Sequence, residues 1–156
     1  MRSRGFTLIE LVITLAIVGL LATAAMPLAQ LVAKREKEMQ LRTALRDIRT
    51  AIDAYRDAAT TGHIRQEIGA SGYPPDLKSL YEGVEDTMSE KKVKLYFLRR
   101  VPRDPFFPDG TAAAEDTWGV RSSQSPPEDP QPGDDVFDVY SLSGSTGLNG
   151  VPYRQW

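Results

Sequence analysis

The sequence predicts an α+β protein, in which one long N-terminal helix packs on a small sheet built near the C-terminus. Three observations lead there. The run Phe6–Met26 holds a single ionisable side chain, Glu10. Behind it, Leu41, Leu45, Ile48, Ile52 and Tyr55 recur at steps of four and three, the spacing of one helix face. Segments with strand character, Thr117–Ser123 and Val136–Ser141, come only after residue 116.

The apolar run comes first. Its 21 residues, at about 1.5 Å each, span roughly 31 Å as a helix, close to the hydrocarbon thickness of a bilayer. Arg2 and Arg4 precede it, so the positive-inside rule keeps the N-terminus cytoplasmic. A carboxylate in hydrocarbon costs about 2.5–3.5 kcal/mol on insertion scales, which marks Glu10 as functional and in need of a partner. A cleaved secretory signal is the competing reading, because Ala22-Thr23-Ala24 fits a small-x-small site. The run continues past that site, and a signal would not place an acid near its start.

No proline or glycine interrupts residues 28–61, so one helix is expected from about Thr7 to Ala59, with Gly62 as its stop. Pro27 lacks an amide hydrogen and should kink or loosen the helix locally. Arg42, Arg46, Asp47, Arg49, Asp53 and Arg56 occupy much of the rest of the helix surface. The stripe therefore reads as a core face against the sheet, with a coiled-coil seam as the alternative.

Residues 60–116 connect the helix to the strands. Asp76 is placed to cap a short helix after Pro74-Pro75. Glu85–Lys94 is highly charged and reads as solvated, and Leu95–Leu98 as a short apolar anchor. The proline-punctuated stretch Arg99–Phe106 cannot be a central strand. Ser125–Gly133 is a polar, proline-rich loop, read as mobile. Gly144, Gly147 and Gly150 mark a turn-rich tail ending at Tyr153 and Trp156.

The residues Gly5-Phe6-Thr7-Leu8-Ile9-Glu10 resemble the processing site of type IV pilins and type II secretion pseudopilins. The resemblance implies a prepilin peptidase that cuts between Gly5 and Phe6 and methylates the new N-terminal Phe6. Glu10 matches the family's glutamate five residues into the mature chain, and Pro27 a proline the family also carries. Residues 1–5 become a cleaved leader, 6–27 a transmembrane and assembly helix, and 28–156 a periplasmic pilin-like domain. Cleavage would leave a cationic amine four residues before Glu10. The two opposite charges attract strongly in low dielectric, within one chain or between neighbours.

Further segments resemble major pseudopilins in the same order. They are Tyr73-Pro74-Pro75, Val101-Pro102-Arg103-Asp104-Pro105-Phe106, Trp118-Gly119 and Asp138-Val139-Tyr140-Ser141. The fold implied is a long helix on a small antiparallel sheet. The tail Ser143–Gly150 lies where such pseudopilins hold calcium, but no carboxylate lies between Ser141 and Trp156. Calcium prefers several hard, charged oxygens, so no cofactor is expected and a calcium ion is kept as the alternative.

Composition excludes other classes. Removing Arg2 and Arg4 lowers the 19 basic residues to 17 against 21 acidic ones, a formal charge of −4, and no basic stripe points to nucleic acid. The chain has no cysteine, hence neither the disulfide that many type IV pilins carry nor a thiolate metal site. His63 is the only histidine and reads as a surface residue near the helix end. Gly144-x-x-Gly147-x-x-Gly150 has no following lysine and is not a phosphate loop. The acid pairs Glu128-Asp129 and Asp134-Asp135 read as solvent-facing. Nothing resembles a nucleophile with its base, so no catalytic residue, no metal ligand and no enzyme is expected.

The leading expectation is thus a structural subunit of a type II secretion pseudopilus, anchored in the bacterial inner membrane and then extracted into a periplasmic filament. Its partners would be prepilin peptidase, other copies of itself, minor pseudopilins and the inner-membrane secretion platform. A type IV pilin or minor pilin for adhesion, motility or DNA uptake is the alternative. A membrane-anchored periplasmic binding module that never polymerises is the third reading.

Overall fold

The computed structural model describes residues 6–156, with Ala24 by its backbone alone. The architecture is α+β, with a long N-terminal helix and small antiparallel sheets. Helix α1 runs Leu8–Thr60, within a residue of the expected bounds, and stays helical across Pro27, which donates no backbone hydrogen bond. The chain divides into two compact units, residues up to Lys37 and Glu38–Trp156.

In the first unit, α1 exposes its apolar side chains throughout, among them Leu8, Leu15, Leu20 and Met26. Among the described residues α1 is the one helix long and apolar enough to cross a membrane. Thr14 Oγ1 donates to Leu11 O at 2.9 Å and Thr23 Oγ1 to Leu20 O at 2.7 Å. Both hydroxyls are satisfied inside the helix and present no unpaired donor to lipid.

In the second unit, the expected stripe is the core. Leu41, Leu45, Ile48 and Ile52 are at most 3% exposed, and Ala44, Ala51, Tyr55 and Ala59 extend the same face. This places the stripe inside the domain rather than on a coiled-coil seam. Fully burying each Leu or Ile contributes about 1.5–3 kcal/mol. The helix stops in a Schellman motif: Gly62 takes φ +85°, its amide donates to Ala59 O, and the His63 amide donates to Ala58 O.

Asp76 Oδ1 accepts the Ser79 amide at 2.8 Å and starts α2, Ser79–Glu82, whose Leu80 is fully buried. The Leu80 carbonyl then accepts the amides of both Phe97 and Leu98, which docks the 95–98 segment on the core. Between these, strands β1 (Val84–Glu85) and β2 (Lys94–Leu95) pair antiparallel, so the charged stretch is a hairpin tip rather than a featureless loop. Strands β3 (Trp118–Arg121) and β4 (Asp138–Ser141) form a second antiparallel pair, Trp118 opposite Ser141 and Arg121 opposite Asp138.

Both of these strands are shorter than their sequence patterns. The Ser122 amide turns to Gln131 O, and the Val136 amide to Pro74 O. Backbone groups that pair elsewhere cannot extend the ladder.

Candidate processing and assembly site

Helix α1 begins with a reciprocal cap. The backbone amide and the hydroxyl of Thr7 both donate to Glu10 Oε2, at 2.9 and 2.8 Å, and the Glu10 amide donates back to Thr7 Oγ1 at 3.3 Å. This is a capping box, in which a Thr and a Glu three residues apart each satisfy a free amide at the helix start. Its signature in the sequence is the spacing Thr7-x-x-Glu10. Phe6 consequently precedes the helix, so Phe6 and Glu10 do not share a helix face in this chain. Glu10 Oε1 has no partner among the described residues. Gly5, the other half of the expected cleavage site, lies outside the described residues.

The arrangement is an apolar helix of membrane-spanning length, entered through one carboxylate, with half of that carboxylate unengaged. Residues 1–26 match the prokaryotic N-terminal methylation motif. The match covers the apolar run and the residues before it, and no more of the chain. No curated protein and no solved structure matches the chain.

The four segments singled out in the second half interlock. Trp118 Nε1 donates to Pro102 O at 2.8 Å, and Ser141 Oγ to Asp104 Oδ2 at 2.5 Å. The Asp104 amide donates to Thr117 Oγ1 and the Phe106 amide to Asp104 Oδ1. Pro74 O accepts the Val136 amide, and the Tyr73 ring meets Phe137 edge-on at 4.9 Å. Asp104, Thr117 and Ser141 are buried, and each finds partners inside the knot.

The tail is tied to α1 by a residue that sequence reasoning did not single out. Glu38 Oε1 accepts the Leu148 amide at 2.7 Å and the Tyr153 hydroxyl at 2.9 Å. Burial first, and then the hydrogen bond to Glu38 and its charge, push the Tyr153 phenol up to about 12. The tail's own bonds, Gly147 N to Val151 O and Tyr153 N to Ser145 O, close the remaining turns. Glu38 Oε1 thus holds two protein donors at the tail. Among the described residues no group of three or more His, Cys, Asp or Glu side chains is placed to hold a metal ion.

One expectation is corrected. Asp135 is not solvent-facing but buried, accepting Ser122 Oγ, the Ser123 amide and Ser123 Oγ at 2.6–2.9 Å. Burial alone would raise this carboxyl. The donors of Ser123, Ser71 and Ser122 outweigh it and hold the group near 2. Sequence could not show it, because the donors come from the far side of the proline-rich loop. His63 stands at the end of α1, half-exposed, with Nδ1 3.0 Å from Asp86 Oδ1. Its hydrogen-bond partner is Asp86, while Ser141 and Asp104 bond to each other.

Proposed function

We propose that this chain is a structural subunit of a periplasmic filament, the pseudopilus of a type II secretion system. It is cut between Gly5 and Phe6, N-methylated at Phe6, and polymerised through its N-terminal helix. One observation carries the reading: an exposed, bilayer-length apolar helix opens on Glu10 inside the methylation motif, which spans residues 1–26. Such a helix is stable in lipid or against other copies of itself, and in water it is a liability.

Glu10 then acts in assembly. Its Oε2 is held by Thr7, which fixes the carboxylate, and Oε1 remains for a cation. Cleavage creates that cation at Phe6. The amine of an incoming subunit, paired with Glu10 of its neighbour, offsets the cost of both charges and sets the register. Asp104-Pro105-Phe106, Trp118-Gly119 and the lack of cysteine favour secretion over the pilus reading. The role is structural rather than catalytic.

The test is intact-mass spectrometry of the processed protein together with electron microscopy of the same cells. A chain starting at N-methylated Phe6 is expected; one beginning after Ala24, or retaining Arg2, defeats the reading. Glu10→Ala should leave cleavage intact and abolish filaments. A neighbouring retraction ATPase gene would favour the pilus alternative.

A further inference from the structure

Two charged features of the Glu38–Trp156 unit match each other but, among the described residues, form no ion pair within one chain, although Pro127 and Pro130 of the second border Arg49, Gln155 and Trp156 of the first. The first is a groove along α1. Arg42, Arg46 and Arg49, at steps of four and three, share one helix face and line it with Trp156. Arg49 is neutralised by Asp138 at 2.7 Å. Arg42 lies over the Trp156 ring, 4.4 Å from its centroid, and has no carboxylate partner. Arg46 is exposed and has no partner of any kind among the described residues. The groove, about 560 Å³ and open to solvent, suits a short peptide segment rather than a single ion.

The second feature is the loop Ser125–Pro132, with four prolines in eight residues. It is pre-ordered: Ser125 Oγ donates to Asp129 O, the Gln131 amide donates to Ser125 Oγ, and the Ser122 amide donates to Gln131 O. Its tip presents Glu128 and Asp129 to solvent, and Glu128 has no partner among the described residues. Among the described residues no ion pair joins this loop to Arg42 or Arg46.

We propose that the acidic proline-rich loop of one copy docks in the arginine–tryptophan groove of a second copy. The proposal rests on the filament reading and names the contact between its globular domains. Three physical reasons favour a second copy as the occupant. The charges are complementary: Arg42 and Arg46, neither paired with a carboxylate, outnumber the groove's Asp53 and suit Glu128 and Asp129. Prolines stack well on an aromatic floor, and a pre-ordered loop loses little entropy on docking. A contact between two different patches of the same chain is heterologous, and repeating it builds an open filament rather than a closed dimer.

The chain has no cysteine, which makes the test clean. In full-length protein in its host membrane, Arg46→Cys and Glu128→Cys would be joined with a short bis-maleimide. The spacer is needed because an Arg–Glu pair holds its Cα atoms beyond the ~7 Å limit of a disulfide. Both side chains are exposed and unbonded, so neither change should disturb folding. With both cysteines in one chain, a ladder of linked multimers is expected. With the two single variants mixed, linked dimers are expected at least ten-fold above either alone. Arg46→Glu should reduce filament yield, and adding Glu128→Arg should restore it.

Filaments without the cross-link, or a linked monomer of altered mobility, overturn this interface and leave the filament reading intact. Cross-linked copies without filaments support the interface and defeat the filament reading. Neither product removes both.

Discussion

The Tyr153 hydroxyl donates to Glu38 Oε1 at 2.9 Å, joining the end of the chain to the first turn of the compact domain. Tyr153 is fully buried, stacked on Phe106 at 4.1 Å and edge-on to Trp156 at 5.0 Å. This contact closes the tail that other sequence features left open.

Glu38→Ala should remove the acceptor shared by the buried Tyr153 hydroxyl and the more exposed Leu148 amide. The cost is roughly 1–3 kcal/mol in denaturant unfolding, most of it from the buried hydroxyl. Glu38→Gln keeps an acceptor and should cost less. Because the folded phenol titrates near 12 rather than 10, its contribution is intact below pH 10 and fades as pH rises toward 12. Alkaline unfolding that is unaltered by Tyr153→Phe would contradict this.

Asp135 makes the opposite prediction, in acid. Its folded carboxyl lies near 2 against an ordinary 3.8, so it stabilises the fold above pH 4 and loses that effect as pH falls toward 2. The loss is at most about 2 kcal/mol, from 1.36 kcal/mol per unit. Asp135→Asn should lower stability at neutral pH and flatten the profile between pH 4 and 2. An unchanged acid slope would place the acid sensitivity elsewhere.

Asp104 and Ser141 should couple. Asp104→Ala removes the acceptor for the Ser141 hydroxyl and the Phe106 amide, both in the buried knot, and should cost roughly 2–4 kcal/mol. Ser141→Ala should cost about 1 kcal/mol, and the double variant less than the sum. Strict additivity would mean that the two residues act independently.

Chelation tests the tail directly. With Glu38 closing the loop through protein donors, excess chelator should leave the unfolding midpoint of the full chain unchanged. A fall of several degrees, reversed by added calcium, would show that tail carbonyls and hydroxyls complete a metal site.

The sequence by itself determined what depends on local spacing. An apolar run of fixed length, a stripe at steps of four and three, a stop at Gly62 and a cap at Asp76 are properties of neighbours along the chain, and the structure keeps them. The proposed site is local in the same way: Gly5, Phe6 and Glu10 fall in register within six residues, and the Thr7–Glu10 box lies in that span. The tertiary structure decided what depends on partners distant in sequence. Glu38 looked like one more charge on a polar helix until Leu148 and Tyr153, more than a hundred residues away, arrived as donors. Asp135 looked like half of an exposed acid pair until Ser122 and Ser123 folded over it. A carboxylate's burial is permitted only by the donors that surround it, and those are brought by the fold, not by the flanking residues.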